Sequence, residues 1–206
     1  MVKKLDFPAT TRNAAAITAV LHEHLPAGNV LEIAAGSGQH SVYFAEHLPL
    51  NTFWPSDPEP AHVQSINAWG QHAALSNLYP PVQLDTTHED WQSDASLPGL
   101  PERLDAILCI NMIHIAPIAA AIGLFAGAAN RLSAGKLLYL YGPFLGTGEP
   151  DAPSNLAFDA DLKRRNRTWG VRQLSDAKAM ATQAGFNFDQ TVPMPANNVS
   201  VLFRKV

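Results

Sequence analysis

Cysteine is nearly missing from this chain. A single thiol, Cys109, among 206 residues leaves no partner for an internal disulfide, and that usage suits a reducing, cytoplasmic setting. Charge is sparse as well: 16% of residues are charged against 47% hydrophobic. The formal net charge of −4 lacks the basic excess that general nucleic-acid binding leaves in a composition. Apolar stretches break well before the roughly 20 residues a membrane helix needs. The opening MVKKLDFPATTRN carries two lysines but no following apolar segment, which argues against a signal peptide. Metal-ligand spacing is missing too: His22 and His24 are two apart and would not share a helix face. No H-x-x-x-H or cysteine pair occurs, so no metal site is expected. No Tyr-x-x-x-Lys follows Tyr43, Tyr79, Tyr139 or Tyr141, which removes one common hydride-transfer arrangement. There is no internal repeat. The length suits one domain, 1–206, with a sizeable core.

The most informative stretch is VLEIAAGSGQHS, residues 30–41. An apolar run ends at Glu32, a small-residue turn follows with Gly36 and Gly38, and a helical segment begins. A strand, tight turn and helix N-terminus in this order bring backbone close to a nucleotide-like ligand. Glycine removes the Cβ that would block the approach, and the first helix N–H groups remain as donors.

Around this turn the chain alternates. Apolar spacing predicts a helix over 12–25, capped by Thr10 or Thr11, a strand at 30–34 and a helix at 38–48. A second strand spans 51–56 and ends at Asp57; Pro58 and Pro60 suit the first turn of a third helix running past Val63, Ile66 and Trp69. A short strand at 82–84 ends at Asp85, and LDAILCI (104–110) is the clearest buried strand. An Ala-rich helix at 117–132, a turn and strand over 133–144, and a loop over 145–157 follow. Helices are read at 158–167 and 174–184, then a hairpin of strands at 186–192 and 199–206. Such alternation implies parallel strands with helical crossovers on both faces. The expected fold is a Rossmann-like α/β/α sandwich of three layers, its seven-stranded sheet mostly parallel with a C-terminal antiparallel hairpin.

Two ligand chemistries compete. Read as G-x-G-x-x-G, the turn places Ser41 at the third glycine, and Asp57 follows about 20 residues on, as a dinucleotide-binding oxidoreductase requires. Against this, Glu32 ends the first strand, where an acid can accept from a cofactor amine or water. Asp57 and Asp85 both end strands, as if one nucleoside were held from two of them.

The order VLEIAAGSGQH, Asp57, Asp85, LDAILCINMIH, SAGKLLYLYGPF, a helix ending AGF and a terminal hairpin resembles the Rossmann-like, class I S-adenosylmethionine-dependent methyltransferases. More narrowly, with SNLAFDADLKRRNRTWGVR and NNVSVLFRK, it resembles a small uncharacterised family of methyltransferase-like proteins of about this length. The resemblance covers essentially the whole chain. It implies Glu32 as the acid of the first motif, with Gly36, Ser37 and Gly38 shaping the turn around the methionine moiety. It implies Asp57 and Pro58 at the ribose, Asp85 beside the adenine amine, and Asn111 and Met112 lining the pocket. Ala34 stands where the class often has its first glycine.

The resemblance makes S-adenosylmethionine the expected cofactor and a small molecule the expected methyl acceptor, with no nucleic-acid or membrane partner. NMIH differs from the Asn-Pro-Pro-aromatic pattern of DNA and glutamine amino-methyltransferases. His114, just past the fourth strand, is the candidate catalytic base, since an imidazole of ordinary pKa can take a proton at neutral pH. The basic segment KRRNRTWGVR supplies Arg164, Arg167 and Trp169 as candidates for closing over an anionic acceptor; a solvated helix face is the competing reading. Residues 143–154 form a candidate lid. A second function remains open: binding the cofactor or its demethylated product without turnover, as a sensor or partner subunit.

Overall fold

The computed structural model describes residues 4–93, 97–148 and 150–206. Seven strands form one sheet: β1 (Gly28–Ile33), β2 (Asn51–Asp57), β3 (Val82–Gln83), β4 (Leu104–Ile110), β5 (Leu132–Pro143), β6 (Phe186–Met194) and β7 (Asn198–Lys205). Their order is β3-β2-β1-β4-β5-β7-β6. The first five are parallel, and β7 runs antiparallel between β5 and β6. This is the expected Rossmann-like sandwich with its terminal hairpin.

The central strands read as continuous apolar runs because both of their faces are covered. Side chains alternate between two cores. Leu31, Ile107, Cys109, Leu138 and Leu140 point to one, shared with α5 (Ile118–Arg131) and α7 (Leu174–Gln183). Val30, Ala106, Leu108, Leu137 and Tyr139 point to the other, shared with α1 (Pro8–His24) and α2 (Gln39–His47). The third helix, α3 (Pro60–Ala73), buries Ser65 and Ile66.

Several boundaries differ from expectation. Helix α1 begins at Pro8 after an extended Phe7, so Thr10 and Thr11 lie inside it and neither caps it. Proline at the first turn needs no N–H partner and presets φ, which moves the start upstream. The same device starts α6 (Pro153–Arg165) at Pro153, shortening the expected loop and shifting a helix expected at 158–167. Pro58 lies before α3, and only Pro60 occupies its first turn. Three elements among the described residues went unanticipated: α4 (Glu89–Gln92) and 3₁₀ turns at Met112–His114 and Pro195–Asn197. Glu149, within the candidate lid, lies outside the described residues. Among the described residues, no helix is long and apolar enough to cross a membrane.

Helix α5 has a thin side. A Cβ at Gly123 would stand 1.9 Å from the Thr86 carbonyl oxygen, and one at Gly127 would stand 2.2 Å from the Trp91 ring. Trp91 of α4 is 1% exposed and donates its indole N–H to the Gly123 carbonyl at 2.8 Å. The hydroxyl of Thr86 donates to the Ala120 carbonyl at 2.9 Å. The segment carrying Asp85 is thus seated directly on α5 backbone.

Candidate functional site

After β1 the chain crosses over to β2, whereas β4 lies on the other side of β1. The crevice outside the carboxyl ends of β1 and β4 is therefore the topological switch point where open α/β sheets bind ligands. The turn, Glu32, Asp57, Asp85 and Asn111 all fall at this end of the sheet.

The turn is strained and tightly bonded. Ala34 adopts φ +55°, Gly36 +61° and Gly38 +91°. The Ala35 N–H donates to the Ser56 carbonyl at 2.8 Å, and the Gly36 N–H donates to Asp57 Oδ2 at 2.9 Å. Left-handed backbone costs an L-residue about 1–2 kcal/mol. Glycine avoids that cost but gives back about 0.4–1 kcal/mol through the unfolded chain. Ala34→Gly is therefore expected to stabilise the protein by about 0.5 kcal/mol. A urea midpoint unchanged or lowered in the variant would contradict the strain assigned here.

Gly38 packs against α3. A Cβ there would stand 2.6 Å from Ile66 Cα, so its missing side chain admits the backbone of α3. A Cβ at Gly36 would meet only the Phe7 ring, at 3.1 Å. Ser37 is 2% exposed and turns its hydroxyl to Gln39 Oε1 at 2.8 Å.

Two acids end adjacent strands. Glu32 is 1% exposed and accepts from the Ser41 hydroxyl at 2.5 Å. Burial pushes its carboxyl up to about 8, against the Ser41 bond and with help from neighbouring Asp57. Asp57 is 3% exposed and works as a hub. Besides Gly36 it accepts from the Glu59 N–H and from His62 Nδ1, both at 3.0 Å. Pro58 accepts from the Gln83 side chain through its carbonyl, tying β2 to β3. Asp85 is half-buried, and its Oδ1 takes both the N–H and hydroxyl of Thr87 at 2.8 Å. Its Oδ2 faces His88 only at 3.9 Å.

Past β4, Asn111 turns the chain with φ +62°, and its N–H donates to the Tyr141 carbonyl at 2.7 Å. Met112 is 9% exposed and packs in the core beneath the site, so little of it is offered to a ligand.

His114 differs from a poised base. It has no exposed surface, and its Nδ1 accepts the Arg172 N–H at 3.2 Å, which places the proton on Nε2. That Nε2 is buried without a partner among the described residues, and a Cβ at Gly142 would stand 2.7 Å from it. Burial, reinforced by the Arg172 charge, drives the imidazole down to about 3. The expectation of a base of ordinary pKa is corrected: this histidine is neutral, sealed and already accepting a backbone N–H.

The basic segment divides. Arg164 is mostly exposed and pairs with Asp161 at 2.6 Å along α6. Arg165 stacks over Trp169 at 5.4 Å, and Trp169 packs on Leu145, Leu162 and Val171. Arg167 is exposed on the connection that follows α6. Arg172 is built into the site's rim, donating to the carbonyls of Ile113, Ala116 and Thr168.

Sequence reasoning passed over Asn13, Gln39 and His62, and met Ser41 only as the third position of the glycine pattern. Asn13 receives His40 Nε2 at 2.7 Å and bonds the Tyr141 hydroxyl, joining α1, α2 and β5. Ser41 carried a signal, since a small residue at the third position of the glycine pattern is what lets a side chain reach Glu32. Among the described residues, no three His, Cys, Asp or Glu side chains are grouped to hold a metal.

The strand order and the turn after β1 are those of an open α/β sheet with one antiparallel strand, β7, set between β5 and β6. The chain belongs to the family described as "Protein of unknown function (DUF938)", which matches residues 4–205. Among solved structures, the mitomycin 7-O-methyltransferase superposes with a TM-score of 0.80 at 15% identity, over 96% of this chain and 54% of that one. An O-methyltransferase family protein from Burkholderia thailandensis gives 0.77 at 12% identity, over 96% and 57%. Human N-acetylserotonin methyltransferase, solved in complex with SAM, gives 0.74 at 16% identity, over 96% and 52%. The chain spans about half the length of these structures, and at such identities the likeness is one of fold.

Proposed function

We propose that this chain, as one domain, is an S-adenosylmethionine-dependent methyltransferase acting on a small molecule. The observation that carries the reading is the arrangement of Glu32 and Asp57 on adjacent strand ends, with Asp57 bonded to Gly36 in the turn between them. These residues suit the cofactor's chemistry. Glu32 supplies a buried carboxyl for the cationic methionine end, and the first N–H groups of α2 supply donors. Asp57 offers its remaining lone pairs to a ribose diol, Asp85 its Oδ2 to the adenine amine, and Asn111 an amide at the rim. When bound, the cofactor supplies a methyl group already activated by a positively charged sulfur.

The protein's own work is then to bind, to orient the acceptor and to exclude water. His114 contributes by fixing the 3₁₀ turn to the Gly170–Arg172 backbone. Arg164, Arg167 and Trp169 remain the proposed acceptor-side residues. The cellular setting proposed is cytoplasmic, without nucleic-acid or membrane partners. The sealing of His114 favours one second reading, a protein that binds the cofactor or its demethylated product without turnover.

Calorimetric titration with S-adenosylmethionine and with its demethylated product tests the proposal. Micromolar binding is expected, weakened about tenfold or more in Asp57→Ala, as loss of a buried acceptor costs about 1–3 kcal/mol. No binding of either ligand, with binding of a nicotinamide cofactor instead, would overturn it. Transfer of labelled methyl to a small-molecule fraction then separates enzyme from sensor.

A further inference from the structure

Resting on that reading, we propose that residues 5–7, ahead of α1, form the outer wall of the nucleoside site, with the Phe7 ring closing over the bound ligand. Four hydrogen bonds hold this strap across the turn. The Leu5 N–H donates to Ser65 Oγ at 2.8 Å, and the Trp69 indole N–H donates to the Leu5 carbonyl at 2.8 Å. The Phe7 N–H donates to Gln39 Oε1 at 2.8 Å, and Gln39 Nε2 donates to Asp6 Oδ1 at 3.0 Å. Ser65 passes the contact inward, its hydroxyl donating to the Ser37 carbonyl at 2.8 Å.

The strap thereby touches the turn itself, not merely the flank of α3. Phe7 sits where the site needs a cover. Its ring edge lies over Gly36, where any Cβ would crowd it, and it meets the His62 ring edge-on at 5.7 Å. His62 in turn holds Asp57. One aromatic side chain thus meets both the turn's central glycine and the histidine that holds the acid assigned to the ribose. Phe7 is 38% exposed, so the core does not account for its position. A nucleoside against the turn would bury the remaining apolar area.

The strap's bonds are made to the side chains of Gln39, Ser65 and Trp69. None of them takes a backbone N–H of α2, whose first, on Gln39, donates to Ser37 Oγ at 3.4 Å, and this makes the segment a wall and not a plug. Its far end is fixed by α1, whose Asn13 bonds His40 and Tyr141.

The test combines amide hydrogen exchange on the full chain with calorimetry, using the demethylated product as probe. Saturation is expected to slow exchange of the Leu5 and Phe7 amides several-fold. Phe7→Ala is expected to raise Kd about tenfold, Phe7→Leu less, and Trp69→Phe to raise Kd by loosening the strap without touching ligand. If the wild type binds while the strap amides are unchanged and Phe7→Ala stays within about twofold, the wall is refuted and the function stands. Tighter binding in Phe7→Ala would make the strap a plug and refute it equally. Failure of the wild type to bind would overturn the functional reading and the wall with it.

Discussion

Glu32→Gln is expected to make the unliganded protein more stable at neutral and alkaline pH while weakening cofactor binding at least about tenfold. The buried carboxyl holds its proton up to about 8, whereas an unfolded glutamate releases it near 4.5. Between those values the folded state binds more protons than the unfolded state, so wild-type stability falls as pH rises and levels off above about 8. Glutamine imitates the neutral form, and its amide oxygen can still accept from Ser41. The slope contributed by this site should vanish, leaving the variant ahead by about 2–4 kcal/mol at pH 8. Urea unfolding from pH 5 to 9 decides the matter. Parallel curves for variant and wild type would show that Glu32 is ionised when folded. The result would mark Glu32 as held at a cost to stability, as expected of a group retained for binding.

Gly38→Ala should produce the largest loss of stability among turn substitutions, about 3–5 kcal/mol. Two penalties coincide. The φ of +91° is unfavourable for any L-residue, and the new Cβ would lie 2.6 Å from Ile66 Cα, where only movement of α3 relieves it. Gly135→Ala separates the two effects, because Gly135 has φ +79° with nothing within 4 Å of a Cβ. That control should lose only about 1–2 kcal/mol. Equal urea midpoints for the two variants would show that α3 yields freely. Because α3 carries Ser65, His62 and Trp69, displacement in Gly38→Ala should also weaken ligand binding.

The sheet was readable because parallel strands buried on both faces leave long apolar words such as LDAILCI, and because Gly36 and Gly38 mark a backbone with positive φ. Asp57 was readable from its place at a strand end. Its bond to Gly36 was not, since only the folded register brings them together. Helix α4 is four residues long, too short for any periodicity, and exists through Trp91 lodging on α5. His114 misled for a related reason: sequence places an imidazole after β4 but cannot say that Phe144 packs edge-on against it at 4.8 Å and Arg172 closes the other side. Pro153 falls inside the expected loop and Pro8 ahead of the expected helix start, yet each opens a helix.

Helix α5 contributes no group to the site, and yet it fixes the reach of Asp85. Because Gly123 and Gly127 present bare backbone, the helix acts as a shim of minimal thickness beneath Thr86 and Trp91. One methyl added to that shim would lift the Asp85 segment toward the crevice mouth. The height at which Asp85, the acid proposed for the adenine amine, stands above the sheet is thus written one layer below, in two glycines of α5.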